Sequence, residues 1–303
     1  MAQLIEFTKL LPSASFKIWG GSELSKLKGI AVQGEPLGET WEVSIHPDGP
    51  SLIGGESLAK VLNPQQLPYL IKFIDTSDNL SIQVHPDDEY AQRVEKQAGK
   101  TECWVILGAG EGAGLYLGLK EGVTKEEFQT AVESSKDVQQ LMNFYPVSRG
   151  DFFYVPAGSL HAIGKNVLMC EIQQSSGVTY RVWDWNRVDS KGRPRELHLN
   201  KAMDVAIFSP EKNIKSYFKA KSDVLNQKGL NDLVSHNDFN VQVWKASNKD
   251  KVFLETKDRV LSVVCLEGKF RIQQEVLNSF EAGITTTSQE IHCLEDGVCL
   301  VVT

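Results

Sequence analysis

The chain has 303 residues, 41% apolar and 23% charged, with a formal net charge of −7, enough to bury a full core in roughly two domains of ~150 residues each. An acidic balance without a clustered basic tract argues against nucleic-acid or membrane-surface binding, though it leaves room for a local cationic pocket. Apolar runs such as Val260 to Leu266 fall far short of the ~20 residues that cross a bilayer, and the first residues carry no apolar signal core, so the expected location is the cytoplasm.

In chain order, the first strong β signals are Leu80 to Val84 and Glu102 to Leu107, with a helical interruption over Asp87 to Gln97 between them. A second helix is expected over Thr124 to Phe144, within an insertion spanning 122–144. Thr124 followed by Glu127 forms a capping box, and Phe128, Ala131, Val132, Leu141 and Met142 recur at helical spacing as a core-facing stripe. Phe152 to Val155, Val167 to Gln173 and Thr179 to Trp183 are short β-branched and aromatic runs bounded by Gly, Pro, Asp and Asn. After about Lys201 the texture changes: Ser209 to Asn237 is polar and Lys-rich, then strand-like runs resume at 239–245, 252–255, 261–266, 270–274 and 298–302. The pattern implies a mainly β protein, an antiparallel barrel or double-sheet sandwich over 1–205, then a linker and a smaller β-domain over 206–303. Cys103, Cys170, Cys265, Cys293 and Cys299 are odd in number, lack a CxxC pair and lie mostly in apolar runs, so they read as buried small hydrophobes.

Two clusters carry chemistry. In Ser81-Ile82-Gln83-Val84-His85-Pro86 the strand period of two puts Ser81, Gln83 and His85 on one face, where an amide oxygen and an imidazole can reach one metal ion; a half-buried structural histidine is the plain alternative. In Gly150 to His161, a strand enters a tight Pro156-Ala157-Gly158 turn that delivers His161 back toward the barrel mouth, a spacing that closely resembles the second cupin motif. Glu102 opens an apolar strand between them. Gln83, His85, Glu102 and His161 together form a sulfur-free oxygen and nitrogen set that suits Zn²⁺ with an open position, with Mn²⁺, Fe²⁺ and Co²⁺ as chemically acceptable substitutes.

Lys72, Ser81 to Pro86, Lys100-Thr101-Glu102, Pro156 to His161 and Tyr180 to Arg187, preceded by Trp19-Gly20-Gly21, Gly38 to Ser44 and His46 to Gly49, resemble the type I mannose-6-phosphate isomerases of the short bacterial kind. The resemblance implies a cupin-type jelly-roll barrel with a helical insertion, followed by a degenerate second β-domain. It implies one zinc ion on Gln83, His85, Glu102 and His161, a substrate pocket lined by Lys72, Ser81, Lys100 and Arg181, and a sugar phosphate as substrate. Arg181, Glu171 and Lys100 would then act in catalysis, with Glu171 as acid/base. Read alone, Lys72 and Lys100 also fit surface lysines, and Arg181 and Glu171 fit salt-bridge partners. Gly99 stands where larger members carry a His and Gly177 where many carry an Asp, so neither position can carry a proton here. The implied reaction is interconversion of mannose 6-phosphate and fructose 6-phosphate through an enediol. A non-catalytic metal-binding cupin that senses a sugar is the alternative these two departures motivate, and an iron cupin oxygenase is a third, disfavoured by glutamine in the first ligand position.

Overall fold

The computed structural model describes residues 4–136, 138–188, 192–256 and 259–303. Two antiparallel sheets form a jelly-roll sandwich. One runs in the order Phe152–Val155, Glu102–Ala109, Val167–Gln174, Tyr69–Asp75, Leu37–Val43, Ser13–Gly21; the other runs Met142–Pro146, Gly114–Leu119, His161–Ile163, Ile82–Val84, Tyr180–Trp183. A third sheet of eight strands follows in the chain, built around the long neighbours Leu261–Ile272 and Gln289–Val302. No helix of the described residues is long and apolar enough to cross a membrane.

The six-stranded sheet is covered on both faces, which is why its strands are apolar at both parities. Tyr69, Ile71 and Phe73 join Cys103, Val105, Cys170 and Ile172 in a core shared with Val241, Val264, Leu300 and Val302 of the third sheet. Ile74, Trp104, Ile106 and Met169 face the other way and pack on Leu115, Leu117 and Ile163 of the five-stranded sheet. Lys72, Glu102 and Glu171 share the parity of this second set, so three charged side chains point into the space between the sheets. All five cysteines are free and buried, as expected.

The outer face of the five-stranded sheet is closed by the helices Lys125–Glu133 and Leu199–Val205, whose Phe128, Val132, Ala202 and Met203 pack on Ile82, Val84, Leu160 and Val182. Thr124 caps the first helix by accepting from the Glu127 N–H, the Thr124 half of the expected capping box, and Phe128 and Val132 are core, as predicted. The expected helix over 124–144, however, ends at Glu133. A short 3₁₀ turn, Val138–Leu141, intervenes, and Met142–Pro146 is an edge strand paired with Gly114–Leu119. Met142 reaches the same core from that strand, which is how it mimicked a helical stripe; Asp137 lies outside the described residues. Two further readings change. Gly229–Ser235, inside the presumed linker, is a strand paired with Asn240–Ala246, and the runs at 261–266 and 270–274 belong largely to one bulged strand, Leu261–Ile272. Thr8–Lys9 pairs with Ala282–Thr285, adding the N-terminal segment to the third sheet.

Candidate active site

Strand pairing assembles the predicted metal residues. His161 is the register partner of Gln83 across neighbouring strands. Gly158, at φ 84° in a region that side-chain-bearing residues rarely adopt, lets the preceding turn fold back so that its N–H donates to the His85 carbonyl at 2.8 Å. The result places His161 Nε2 3.3 Å from Glu102 Oε1, His85 Nε2 3.6 Å from Glu102 Oε2, and the Gln83 amide 3.2 Å from His161 Nε2. One ligand atom from each of His85, Glu102 and His161 lies within 4.8 Å of the others.

The donor chemistry fits a divalent ion. Each imidazole has its Nδ1 against a backbone carbonyl, Val178 O at 2.9 Å for His85 and Ser159 O at 3.0 Å for His161. A carbonyl only accepts, so Nδ1 carries the proton and Nε2 presents its lone pair inward. Burial, with the Lys100 charge, holds both rings neutral, His85 well below the usual range and His161 at about 4. Glu102 is 1% exposed, and neither carboxylate oxygen accepts a well-aligned hydrogen bond, although Lys100 Nζ stands 2.7 Å from Oε2. Glu102 Oε1, buried without a hydrogen-bond partner among the described residues and facing His161 Nε2, is the kind of acceptor that a divalent cation would satisfy.

Above this group opens a cavity of about 360 Å³ whose lining includes Lys72, Ser81, Gln83, Lys100, Glu171 and Arg181. Lys72 and Lys100 are 7% and 6% exposed, which excludes the surface-lysine reading. Lys72 Nζ lies 3.8 Å from Glu171 Oε1, 4.0 Å from Glu39 Oε2 and 4.1 Å from the Trp41 ring centre. Lys100 Nζ also lies 4.0 Å from Glu171 Oε1 and 3.1 Å from His85 Nε2. Burial opposes the Lys100 charge, but Glu102 and then Glu171 outweigh it and raise its proton affinity. Glu171 is pushed above the usual carboxylate range by burial and by Glu102, against the pull of Lys100 and Lys72, and its Oε2 accepts from Trp104 Nε1 at 3.0 Å.

Arg181 lies on the strand beside Gln83, its register partner. Its Nη1 donates to Glu196 O at 2.9 Å, while its buried Nε finds no partner among the described residues. Glu39, Arg195 and His198 also line the cavity and carry no sequence-level assignment. The two glycine departures have steric causes. A side chain at Gly99 would start 2.5 Å from Asp88 N, and one at Gly177 would start 2.9 Å from the His46 ring.

The chain's residues 7–103 match the family model for the phosphomannose isomerase type I catalytic domain. It is 37% identical over 276 residues to the mannose-6-phosphate isomerase of Streptococcus mutans, covering 86% of this chain and 85% of that protein. With the mannose-6-phosphate isomerase ManA of Bacillus subtilis it shares 34% identity over 88% of each chain. A crystal structure of the mannose 6-phosphate isomerase from Bacillus subtilis superposes with a TM-score of 0.83 at 30% identity, covering 99% of this chain and all of that one.

Proposed function

The chain belongs to the type I mannose-6-phosphate isomerases, and from that premise we propose that it is a zinc-dependent cytoplasmic enzyme that interconverts mannose 6-phosphate and fructose 6-phosphate through an enediol. The observation that carries this reading is the buried His85, Glu102 and His161 group, whose Glu102 Oε1 has no hydrogen-bond partner among the described residues, next to a cavity lined by Gln83, Glu171, Lys100, Lys72 and Arg181. Gln83, His85, Glu102 and His161 would hold the ion, which when bound supplies Lewis acidity and a template for substrate oxygens.

The rest of the chemistry falls to side chains. The Glu171 carboxylate takes the C2 proton of the open-chain aldose and returns it to C1. Lys100, kept protonated between Glu102 and Glu171, gives a proton to O1 as the enediol forms and regains one from the O2 hydroxyl as it collapses to the ketose. The Trp104 indole N–H fixes the Glu171 carboxylate. Lys72 and Ser81 line the sugar path, and Arg181 supplies a cation that cannot deprotonate.

A coupled assay that detects fructose 6-phosphate formed from mannose 6-phosphate, run beside elemental analysis, tests the proposal. The expected result is turnover with one zinc per chain, lost on chelation and restored by zinc. Arg181→Ala should cut kcat/KM by on the order of 10² while retaining metal, consistent with loss of a charge-assisted contact. Absence of turnover in zinc-loaded protein, or unchanged metal content in a Gln83→Ala/His85→Ala variant, would reject it.

A further inference from the structure

Lys100, proposed to move protons, and Glu102, proposed to hold the ion, stand on either side of Thr101, so whatever fixes the Thr101 backbone fixes the roots of both. The segment leading into them is pinned at each polar group in turn. Ala98 O accepts from Ser176 Oγ at 2.8 Å, the Gly99 N–H donates to Asp88 Oδ1 at 2.8 Å, and the Lys100 N–H donates to Pro86 O at 3.0 Å. Thr101 is held through both backbone groups by a single residue. Its N–H donates to Gln174 Oε1 at 2.8 Å, and its carbonyl accepts the Gln174 N–H at 3.0 Å. Gln174 is 1% exposed and ends the strand Val167–Gln174 that also carries Glu171.

The other end of the Gln174 amide reaches out of the jelly roll. Its Nε2 donates to Asp88 Oδ1 at 3.0 Å and to Asp238 Oδ2 at 2.6 Å. An ionised carboxylate only accepts and a backbone N–H only donates, so the partners at the two ends fix the amide in one orientation. Asp88 is exposed, and its Oδ1 already serves the Gly99 N–H. Asp238 is half-buried and belongs to the third sheet, in the turn that joins Gly229–Ser235 to Asn240–Ala246. That turn is closed on itself: the His236 N–H donates to Phe239 O at 2.8 Å, and the Asp238 N–H donates to His236 Nδ1 at 3.2 Å. Arg259 Nη2 holds Asn237 O at 2.7 Å, and Phe239 is fully buried in the core that the third sheet shares with the six-stranded sheet.

We infer that Asp238 is a positioning residue for the isomerisation: through the Gln174 amide it sets the Thr101 backbone, and with it the placement of Lys100 and Glu102. This inference rests on the isomerase reading. It gives the third sheet a part in the chemistry, since the carboxylate that orients Gln174 comes from that sheet. A carboxylate bound to an amide N–H makes a charge-assisted bond, stronger than the neutral bond at the Thr101 end. Without it the amide is left to Asp88, an exposed side chain that water competes for. Lys100 Nζ stands 2.7 Å from Glu102 Oε2 and 4.0 Å from Glu171 Oε1, and a displacement of about 1 Å at such distances is enough to slow a reaction. Among the described residues, neither Gln174 nor Asp238 lines the cavity, so the effect falls on turnover and not on substrate binding.

The test uses the full-length, zinc-loaded chain with mannose 6-phosphate in steady-state assays, and exchange of the Thr101 amide with heavy water as a readout that needs no turnover. Asp238→Ala should lower kcat roughly 10-fold, leave KM within about twofold, and speed exchange at Thr101, with metal content unchanged. Asp238→Asn keeps an acceptor oxygen for Gln174 Nε2 and should restore most of the lost kcat. Ser262→Ala removes a different contact of the third sheet, the 2.8 Å hydrogen bond to Tyr69 Oη, and should leave both kcat and Thr101 exchange as in wild type. In a Gln174→Ala background, Asp238→Ala should have no further effect on kcat, because both act through one contact. The Asp238 variants carry the test if Gln174→Ala does not fold. Wild-type kcat and wild-type Thr101 exchange in Asp238→Ala overturn the inference, as does an equal fall in kcat across Asp238→Ala, Asp238→Asn and Ser262→Ala. Wild-type protein that never turns over mannose 6-phosphate, with Thr101 exchange still governed by Asp238, would instead overturn the isomerase reading and leave the positioning contact standing.

Discussion

Glu171 and Lys72 are register partners on adjacent antiparallel strands, their charged ends 3.8 Å apart inside a sheet whose neighbouring residues are apolar. An acid in that setting is held in tension: burial and Glu102 favour its protonated form, while Lys100 and Lys72 favour the anion. Glu171→Gln keeps the shape and can still accept from Trp104, so its effect isolates proton transfer. We expect kcat to fall by on the order of 10² or more with metal retained. Because the base must be ionised, kcat/KM should fall as pH drops through a Glu171 pKa lying above the ordinary ~4.3. Turnover in heavy water should leave deuterium on the product. An unimpaired Glu171→Gln enzyme that incorporates no deuterium would point to a hydride shift.

Gly99 separates the helix Asp88–Val94 from Lys100, and its N–H donates to Asp88 Oδ1 at 2.8 Å. A Cβ there would lie 2.5 Å from Asp88 N and 2.6 Å from Asp87 C, backbone atoms that cannot swing aside. Gly99→Ala should therefore shift Lys100, lower kcat, and cost roughly 1–3 kcal/mol of stability by overpacking. Denaturant titration and kinetics of that variant check both effects; wild-type values in both would show that the loop yields freely.

Lys28 and Glu42 form a buried pair at 2.8 Å, and Lys28 also donates to the Phe280 carbonyl at 2.6 Å. Burial raises the proton affinity of Glu42 even with Lys28 opposing it. Lys28→Met strands the carboxylate, and the expected loss is about 3–5 kcal/mol at neutral pH. The sign with pH follows from linkage: a carboxyl whose folded pKa is raised binds its proton more tightly when folded, so acidification relieves the penalty. The deficit should shrink as pH falls toward the unfolded value near 4.5, because the raised folded pKa is crossed on the way down. A deficit constant over that range would contradict the assignment.

What could be read from sequence followed local periodicity. Alternation put Ser81, Gln83 and His85 on one face, and the Gly158 turn returned His161 to it; both rest on near-neighbour geometry. The lysines misled in isolation because a charge in an apolar run marks a lined cavity only once both sheet faces are known to be covered. Met142 counterfeited a helical repeat because edge strand and helix deliver side chains to the same core. Arg195 and His198 sit in a polar stretch with the texture of any solvated loop. The backbone pairing of His198 with Arg181 and the bond from Arg195 to Asp184 bring them to the cavity, and contacts between irregular segments leave no period to detect. Glu39 became legible only when Trp41 and Lys72 were seen across the strand pair.

The pairing of Thr8–Lys9 with Ala282–Thr285 has a consequence for how the chain is born. The Ile5 N–H finds its acceptor, Thr286 Oγ1, 281 residues downstream, so this early strand acquires its neighbour only after the far larger part of both jelly-roll sheets has been made. Until residues 282–286 are made, Ile5, Phe7 and Leu10, all buried in the folded protein, must wait without the strand that covers them. A nascent chain stalled at any earlier codon presents the same apolar edge to chaperones and proteases alike.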